Sequence, residues 1–458
     1  MPAKFVLIGS GLAGGLLAAY LGRRGYDVDL YERRADPREG NIVGGRSINL
    51  AVSTRGIHAL DQLGIADEVL QHAIPMRGRM IHPAGARRAP IFVPYDVDPK
   101  KCINSIGRAA LNTTVIEAAQ RYPTVRVYFN HKCTDVDLDG AVAHLEKTDD
   151  GVGAAVSAAN PKIIRARGDA VIGVDGAFSA VRQSMQLKID NFQYDESYLA
   201  HGYKELTIPP GRDGSWQMEK NALHIWPRKS FMMIALPNPD GSFTCTLFWE
   251  FEGPRSFAAT KTDDRVCDFF REEFPDAVSL MPTLLQDFKD NPTGSLVTIR
   301  CAPWFYKDKV ALVGDAAHAV VPFYGQGMNA AFEDCVVLDE CLEDFPNNRE
   351  RAFAEYFSRR KENTDALADL AIGNFIEMRD KTASKIFRAK KKLDHFLEAA
   401  LPGIYLPLYT MITFTRIPYA EAARRARRQN RIVCSALVVV IMSILVLSIL
   451  LVRLVGRR

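Results

Sequence analysis

No two of the eight cysteines form a Cys-x-x-Cys pair; they are scattered from Cys102 to Cys434. That scatter excludes the paired spacing of a zinc site and the dense pattern of a disulfide framework. Reduced, mostly buried thiols in a cytosol-facing protein are the expectation. Low-complexity stretches and internal repeats are also lacking, which excludes a linker-like or solenoid chain. With 47% hydrophobic and 24% charged residues, disorder is excluded as well. At 458 residues the chain calls for two or three folding units. The N-terminus leaves no room for a signal peptide, because Met1-Pro2-Ala3-Lys4 runs directly into apolar Phe5, Val6, Leu7 and Ile8.

Acid is missing from residues 424–458, which hold eight arginines (Arg424, Arg425, Arg427, Arg428, Arg431, Arg453, Arg457 and Arg458). Removing that segment from a net charge of +4 leaves the remaining chain at −4, so no general attraction for nucleic acid is expected. Charge of either sign is missing from residues 432–452, a run of 21 whose polar members are Ser435, Ser443 and Ser448. As a helix it would be roughly 30 Å long, the thickness of a hydrocarbon core. A buried core helix is the bland alternative, but such helices seldom stay apolar all round for so long. The expectation is a single C-terminal transmembrane helix over 432–452, a tail anchor with the body in the cytosol. Arginine on both flanks suits the mitochondrial outer membrane.

What is present begins with strand, glycine turn, helix and strand over 5–8, 12–22 and 28–31. Gly9-Ser10-Gly11-Leu12-Ala13-Gly14 sits between the first strand and the helix, and Glu32 follows 18 residues after Gly14. Gly9 permits the tight turn, Gly11 lets the backbone approach a pyrophosphate, and Gly14 lets helix and strand pack closely. The helix N-terminus faces the phosphates, and Glu32 is placed for the adenosine ribose hydroxyls. Two later strands, 170–175 and 309–315, each end in an aspartate. Apolar β-rich runs at 224–227, 231–236 and 242–250 indicate an antiparallel sheet, and the last two flank Pro237-Asn238-Pro239-Asp240-Gly241. Along the last strand Phe243, Cys245, Leu247 and Trp249 face one way, while Phe248 shares the other face with Thr244 and Thr246. Helix is expected from about 350 to 400.

Ile172-Gly173-Val174-Asp175-Gly176 and Gly314-Asp315-Ala316-Ala317-His318 follow the glycine turn in order. Singly, each is as readily a strand end with a capping aspartate. Together they resemble the paired signatures of the class A flavoprotein aromatic hydroxylases, the para-hydroxybenzoate hydroxylase superfamily. The resemblance implies that the dinucleotide is FAD and that Asp315 contacts its ribose. Gly325-Gln326-Gly327 then opens a helix whose positive end suits the flavin pyrimidine. Gly45-Arg46-Ser47, Met76 to Arg79 with His82, His201-Gly202-Tyr203-Lys204-Glu205, Leu223-His224-Ile225-Trp226, Phe323 to Asn329 and Leu408-Tyr409 are similar to the branch that hydroxylates L-kynurenine. The likeness runs from residue 4 to about 420.

That resemblance implies NADPH- and O2-dependent conversion of L-kynurenine to 3-hydroxykynurenine through a flavin C4a-hydroperoxide. No side chain is expected to be a catalytic acid or base, and no second G-x-G-x-x-G is present for NADPH. It implies substrate contacts from Arg79, Tyr95, Asn374 and Tyr409 to the carboxylate, and from Leu223, Ile234, Phe248, Phe323, Tyr324 and Met378 to the ring. It implies FAD contacts from Gly9, Gly11, Ala13, Gly14, Tyr31, Glu32, Arg33, Arg34, Arg46, Ala51, Arg108, Cys133, Asp175, Asp315, Gly327, Met328 and Asn329. Tyr324 departs from the pattern, which places Phe or His there. Without the resemblance, Arg79 reads as a surface ion-pair residue beside Arg77 and Arg88. The expected architecture is α/β: a Rossmann-like FAD domain (1–190 and 290–350), an inserted antiparallel-sheet substrate domain (191–289), a helical region (351–431) and the anchor (432–452). Neither a metal nor an obligate protein partner is expected. Open alternatives are a hydroxylase of another aromatic acid, a membrane flavin reductase feeding a quinone, and a non-catalytic flavin scaffold.

Overall fold

The computed structural model describes residues 2–39, 49–85, 89–96, 98, 100–148, 163–381 and 385–455. Lys4–Ile8 is apolar on both faces, as a strand covered on both sides must be. It lies inside a six-stranded sheet, between Ala170–Gly173 and Asp27–Tyr31. Val310–Leu312 and Val125–Tyr128 extend that sheet in parallel on either side, and the short Phe305–Tyr306 closes one edge antiparallel. The helix Leu12–Arg23 follows the first strand and packs against Arg108–Gln120 and Gly327–Asp344. Close approach explains Gly15, since a Cβ there would stand 2.9 Å from the Val115 side chain. A small antiparallel sheet of His131–Asp137, Val142–Lys147 and Ile163–Arg167 flanks this layer.

The second large sheet has seven strands, in the order Gly294–Ala302, Gln193–Ile208, Phe243–Glu250, Met232–Pro237, Ala222–Pro227, Gly78–Ile81 and Ile91–Pro94. It extends beyond residues 191–289 at both edges, because strands from the first and third stretches of the chain join it. Nor is it purely antiparallel: Gly78–Ile81 pairs parallel with Ala222–Pro227, Arg79 beside Leu223. A parallel neighbour far away in sequence leaves no local hairpin signal, which is why this pairing is hidden in the sequence.

Each face of the sheet has its own cover. Phe243, Cys245, Leu247 and Trp249 meet Phe269, Phe270 and Phe274 of the helical layer formed by Asp263–Glu273, Pro275–Val278 and Leu284–Asp290. Phe248 turns the other way, into a cluster with Ile225, Met232, Phe323, Phe375 and Met378. The helical region is Arg349–Ile376, one π-helical stretch Glu377–Lys381, then Lys385–Ala400, Leu408–Phe414 and Tyr419–Val455.

Among the described residues, no helix is long and apolar enough to cross a membrane. The span expected over 432–452 is therefore not shown by the fold. What is described is that Tyr419–Val455 buries Tyr419, Ala422 and Ala426 against Leu367, Met411 and Ile412. Further along, Leu437, Val438, Val439, Val440, Ile441 and Met442 stand exposed.

Phe270 is fully buried at the centre of the helical layer. Phe270→Ala is expected to lower stability by about 3–5 kcal/mol in chemical denaturation. A loss below about 1 kcal/mol would show that the layer is not part of the cooperative core.

Candidate active site

The glycine turn has the geometry its spacing requires. Gly9 has φ +104°, a conformation that disfavours any side chain, and its N–H donates to the Tyr31 carbonyl at 2.8 Å. A Cβ on Gly14 would lie 1.9 Å from the Gly9 carbonyl oxygen, whereas one on Gly11 would meet nothing within 4 Å. Gly11 is the N-cap of Leu12–Arg23, with no side-chain cap and no acid in the first turn. The free N–H groups there suit a phosphate. Glu32 accepts from the Ser10 N–H at 2.8 Å and from the Arg34 N–H at 3.0 Å, tying the turn to the end of the second strand. Arg33 and Arg34 are exposed beside it. Tyr31 stacks on Tyr128 at 4.8 Å, and burial pushes its hydroxyl up to about 12. Cys133 is buried, its thiol pushed up by burial to about 12, which makes it unreactive.

The two aspartates differ. Asp175 accepts from Ser179 Oγ at 2.5 Å and from the Ala180 N–H at 2.7 Å, so its carboxylate caps the helix Ala180–Lys188. Asp315 is accessible at the start of Asp315–His318, yet crowded enough that desolvation raises its carboxyl against His318 and Arg108. Of the pair, Asp315 is the one presented outward. Arg46 lies outside the described residues.

Asn329 holds the next loop. Its Oδ1 accepts from the Ser53 N–H (2.9 Å) and the Gly56 N–H (3.2 Å), and its Nδ2 donates to the Ala51 and Gly325 carbonyls at 2.9 Å each. Four bonds occupy the amide, so it staples residues 51–56 to the 325–329 turn. The helix Gly327–Asp344 starts there, with Met328 partly buried and no acid in its first turn. Residues with no expected role reinforce this turn: buried Gln326 donates to Ser53 Oγ at 3.1 Å and accepts from the Tyr419 hydroxyl at 3.1 Å.

Across the cleft, Arg79 is 9% exposed, and its Nε has no hydrogen-bond partner. Its guanidinium carbon lies 4.7 Å from the Tyr409 ring centre and 5.8 Å from that of Tyr95. Tyr95 and Tyr409 stack at 5.2 Å, Tyr324 and Tyr409 at 5.8 Å, and the Tyr95 hydroxyl is buried with no hydrogen-bond partner. Burial opposes the Arg79 charge, but Tyr409, Tyr95 and Glu377 outweigh it and keep the group firmly protonated. Burial holds the Tyr95 and Tyr324 hydroxyls well above the ordinary tyrosine value, so both are donors. A buried cationic N–H and a phenol O–H that both lack acceptors suit a carboxylate. The surface ion-pair reading of Arg79 does not hold.

Leu223 and Ile234 link this corner to the aromatic cluster, since both pack on each. There Phe323 lies 4.8 Å from Phe248 and is stacked on Phe375 at 4.2 Å. Asn374 donates to the Phe323 carbonyl at 2.7 Å, so its amide nitrogen holds the pocket wall. Met378 is buried within the π-helical stretch. All ten expected substrate residues thus converge. Phe375 joins them in the pocket wall, and the sequence signal for it is that Ala371, Phe375 and Met378 share one helix face at four- and three-residue spacing.

Glu205 is a further polar group beside the pocket. It is paired with Thr246 across the sheet, on the face that carries Tyr203 and Phe248. Burial raises its carboxyl to about 7 despite Arg108 nearby. Among the described residues no cluster of His, Cys, Asp or Glu is arranged to hold a metal.

A family model described as "FAD binding domain" matches residues 3–371. The kynurenine 3-monooxygenase of Salinispora arenicola is 48% identical over 432 residues, 94% of this chain and 92% of that protein. Those of Dictyostelium discoideum and Anopheles gambiae are 45% and 41% identical, covering 91% and 95% of this chain and 89% and 87% of their own lengths. Among solved structures, 2-methyl-3-hydroxypyridine-5-carboxylic acid oxygenase superposes with a TM-score of 0.66 at 21% identity, over 87% of this chain and 96% of that one. Pseudomonas aeruginosa PqsL, solved with 2-aminobenzoylacetate, gives 0.64 at 18% identity over 85% and 100%. At such identities these structures speak for the fold alone.

The raised Glu205 carboxyl has a thermodynamic consequence. Between the ordinary glutamate value of about 4.3 and about 7, the folded state keeps a proton that the unfolded chain has released. Stability therefore falls as pH rises through that window and levels off above it. In thermal melts, Glu205→Gln should gain on the parent chain between about pH 5 and about pH 7.5. A gap independent of pH contradicts this.

Proposed function

Because the chain belongs to the kynurenine 3-monooxygenase family of FAD-binding aromatic hydroxylases, we propose that it converts L-kynurenine, NADPH, O2 and a proton to 3-hydroxykynurenine, NADP+ and water. The observation that carries the reading is the buried corner of Arg79 and Tyr95, whose donors lack acceptors and adjoin a pocket of aromatic side chains. FAD fits the glycine turn, Glu32, Asp315 and the start of Gly327–Asp344. When bound, it supplies oxygen activated with electrons drawn from NADPH.

The chain's own residues bind, orient and keep out water. Arg79 offers a planar fork to the amino-acid carboxylate, and its guanidinium carbon lies over the Tyr409 and Tyr95 rings. Phe248, Phe323, Phe375 and Met378 wall the pocket for the aminophenyl ring with apolar surface. The ring amino group makes its ortho carbon electron-rich, so no protein base is needed. Fixing the carboxylate and the ring at opposite ends of Leu223 and Ile234 selects the carbon that receives oxygen. Tyr324 stacks on Tyr409 at the junction, where its hydroxyl adds a donor that Phe would lack.

We also propose that residues 432–452 anchor the enzyme in a membrane, with the body in the cytosol and the mitochondrial outer membrane as the site. In support, the described part of Tyr419–Val455 exposes a continuous apolar surface from Leu437 to Met442, with arginines preceding it.

Incubation with L-kynurenine, NADPH and air should give a product heavier by one oxygen, read by mass spectrometry. Arg79→Ala should lower kcat/KM by at least about a hundredfold through the loss of a buried charged hydrogen-bond partner. NADPH oxidation yielding only hydrogen peroxide would refute the substrate. In flotation with liposomes, the full chain should rise and a chain ending at residue 431 should not; equal behaviour would refute the anchor.

A further inference from the structure

Two of the strings that carry the family resemblance hold buried groups that the site does not use: His82, His224 and Trp226. His82 is 6% exposed and follows the strand Gly78–Ile81 on the face opposite Arg79. Its ring stacks on Trp226 at 4.0 Å. Its Nδ1 lies 2.5 Å from Asp276 Oδ2 and its Nε2 lies 2.9 Å from His224 Nδ1. His224 Nε2 lies 2.8 Å from the Glu219 carbonyl oxygen.

These contacts dictate where the protons are. A carbonyl can only accept, so His224 carries its proton on Nε2. Burial pushes His224 down to about 4, so the ring is neutral and its Nδ1 accepts. His82 Nε2 therefore donates. Burial would raise Asp276, but His82 and the Trp226 N–H outweigh it and hold the carboxyl below its ordinary range. Asp276 faces the other ring nitrogen of His82, Nδ1. The His82 ring thus bridges Asp276 and His224 through its two nitrogens. The other charged groups around it are Arg228, whose Nη1 donates to the His82 carbonyl at 3.0 Å, and Glu273, 3.4 Å from Arg228 Nε. Because the chain of bonds ends on a main-chain carbonyl, it delivers no proton to the site.

What it does hold is the strand bearing Arg79. That strand is second from the edge of its sheet, and its outer neighbour exposes Ile91 and Phe92. The His82 N–H also donates to the Ile225 carbonyl at 2.8 Å, so backbone and ring both fasten this end. In register, Arg79 lies beside Leu223 and Met80 beside His224. The clamp thus joins Pro275–Val278 to the two strands that carry Arg79 and Leu223.

We propose that His82, bridging Asp276 and His224, is a positioning residue that sets Arg79 against the substrate carboxylate. This rests on the reading of Arg79 given above. The test uses the FAD-loaded full chain with two substrates: L-kynurenine and its decarboxylated amine, which lacks the group Arg79 would hold. His82→Gln should raise KM for L-kynurenine about tenfold, within the roughly hundredfold that a 1 Å misplacement can cost. Its kcat should stay within about twofold, and KM for the amine should not change. Arg79→Ala, measured alongside, should discriminate in the same sense. If Arg79→Ala separates the substrates and His82→Gln does not, this inference alone falls. If Arg79→Ala treats both alike, the carboxylate reading falls and takes the inference with it. Should His82→Gln fail to retain FAD, Asp276→Asn decides, since it keeps an acceptor but removes the charge. A KM rise confined to L-kynurenine supports the clamp; an equal rise for both substrates, or none, overturns it.

Discussion

Taking the Arg79 guanidinium out of water costs several kcal/mol, and in this fold its Nε meets no protein acceptor. The neighbouring tyrosine rings and Glu377 recover part of that electrostatically, through ring faces and longer-range charge. A second donor without an acceptor, the Tyr95 hydroxyl, stands beside it. A carboxylate relieves both at once, whereas a neutral ligand of the same shape relieves neither fully. Affinity for an amino-acid substrate and discrimination against its uncharged analogues thus have one physical source.

For that corner to matter, it must be held rigidly relative to the flavin cradle, and the connections are polar and buried. Asp334 accepts from His318 at 2.5 Å, from the Gly314 N–H at 3.1 Å and from Arg360 Nε at 2.6 Å. It therefore ties the Gly314–Asp315 turn to Arg349–Ile376, the helix that ends in Asn374 and Phe375. Arg55 and Arg360 both reach Glu333, and Arg55 also donates to the Ile412 carbonyl in the Tyr409 helix. Removing any one partner leaves a buried charge unmatched, so these contacts enforce one arrangement more than they add net stability. The amide of Asn329 does the same for the glycine loop.

How much of this is legible in the sequence depends on how local the cause is. The strand–turn–helix around Gly9 to Gly14 is readable because turn, close approach and helix start fall within six residues. The two faces of Phe243–Glu250 are readable because strand alternation is local, and they sort as expected between the helical layer and the pocket. The parallel pairing of Gly78–Ile81 with Ala222–Pro227 is not, because about 140 residues separate the partners and no pattern announces a parallel neighbour. Asp175 shows the limit of motif reading. Its position fits the family signature, yet its oxygens are occupied in capping a helix. Resemblance implies ten of the pocket residues; burial of Arg79 with an unmatched donor supplies the physical reason that spacing alone does not.

The most direct test of the central claim is a structure of the FAD-loaded enzyme with L-kynurenine bound. The account predicts the substrate carboxylate within hydrogen-bond distance of the Arg79 guanidinium and the Tyr95 hydroxyl, with the aminophenyl ring between Leu223, Ile234 and Phe248. A carboxylate pointing to solvent or towards the glycine turn, leaving Arg79 Nε unmatched, would contradict it.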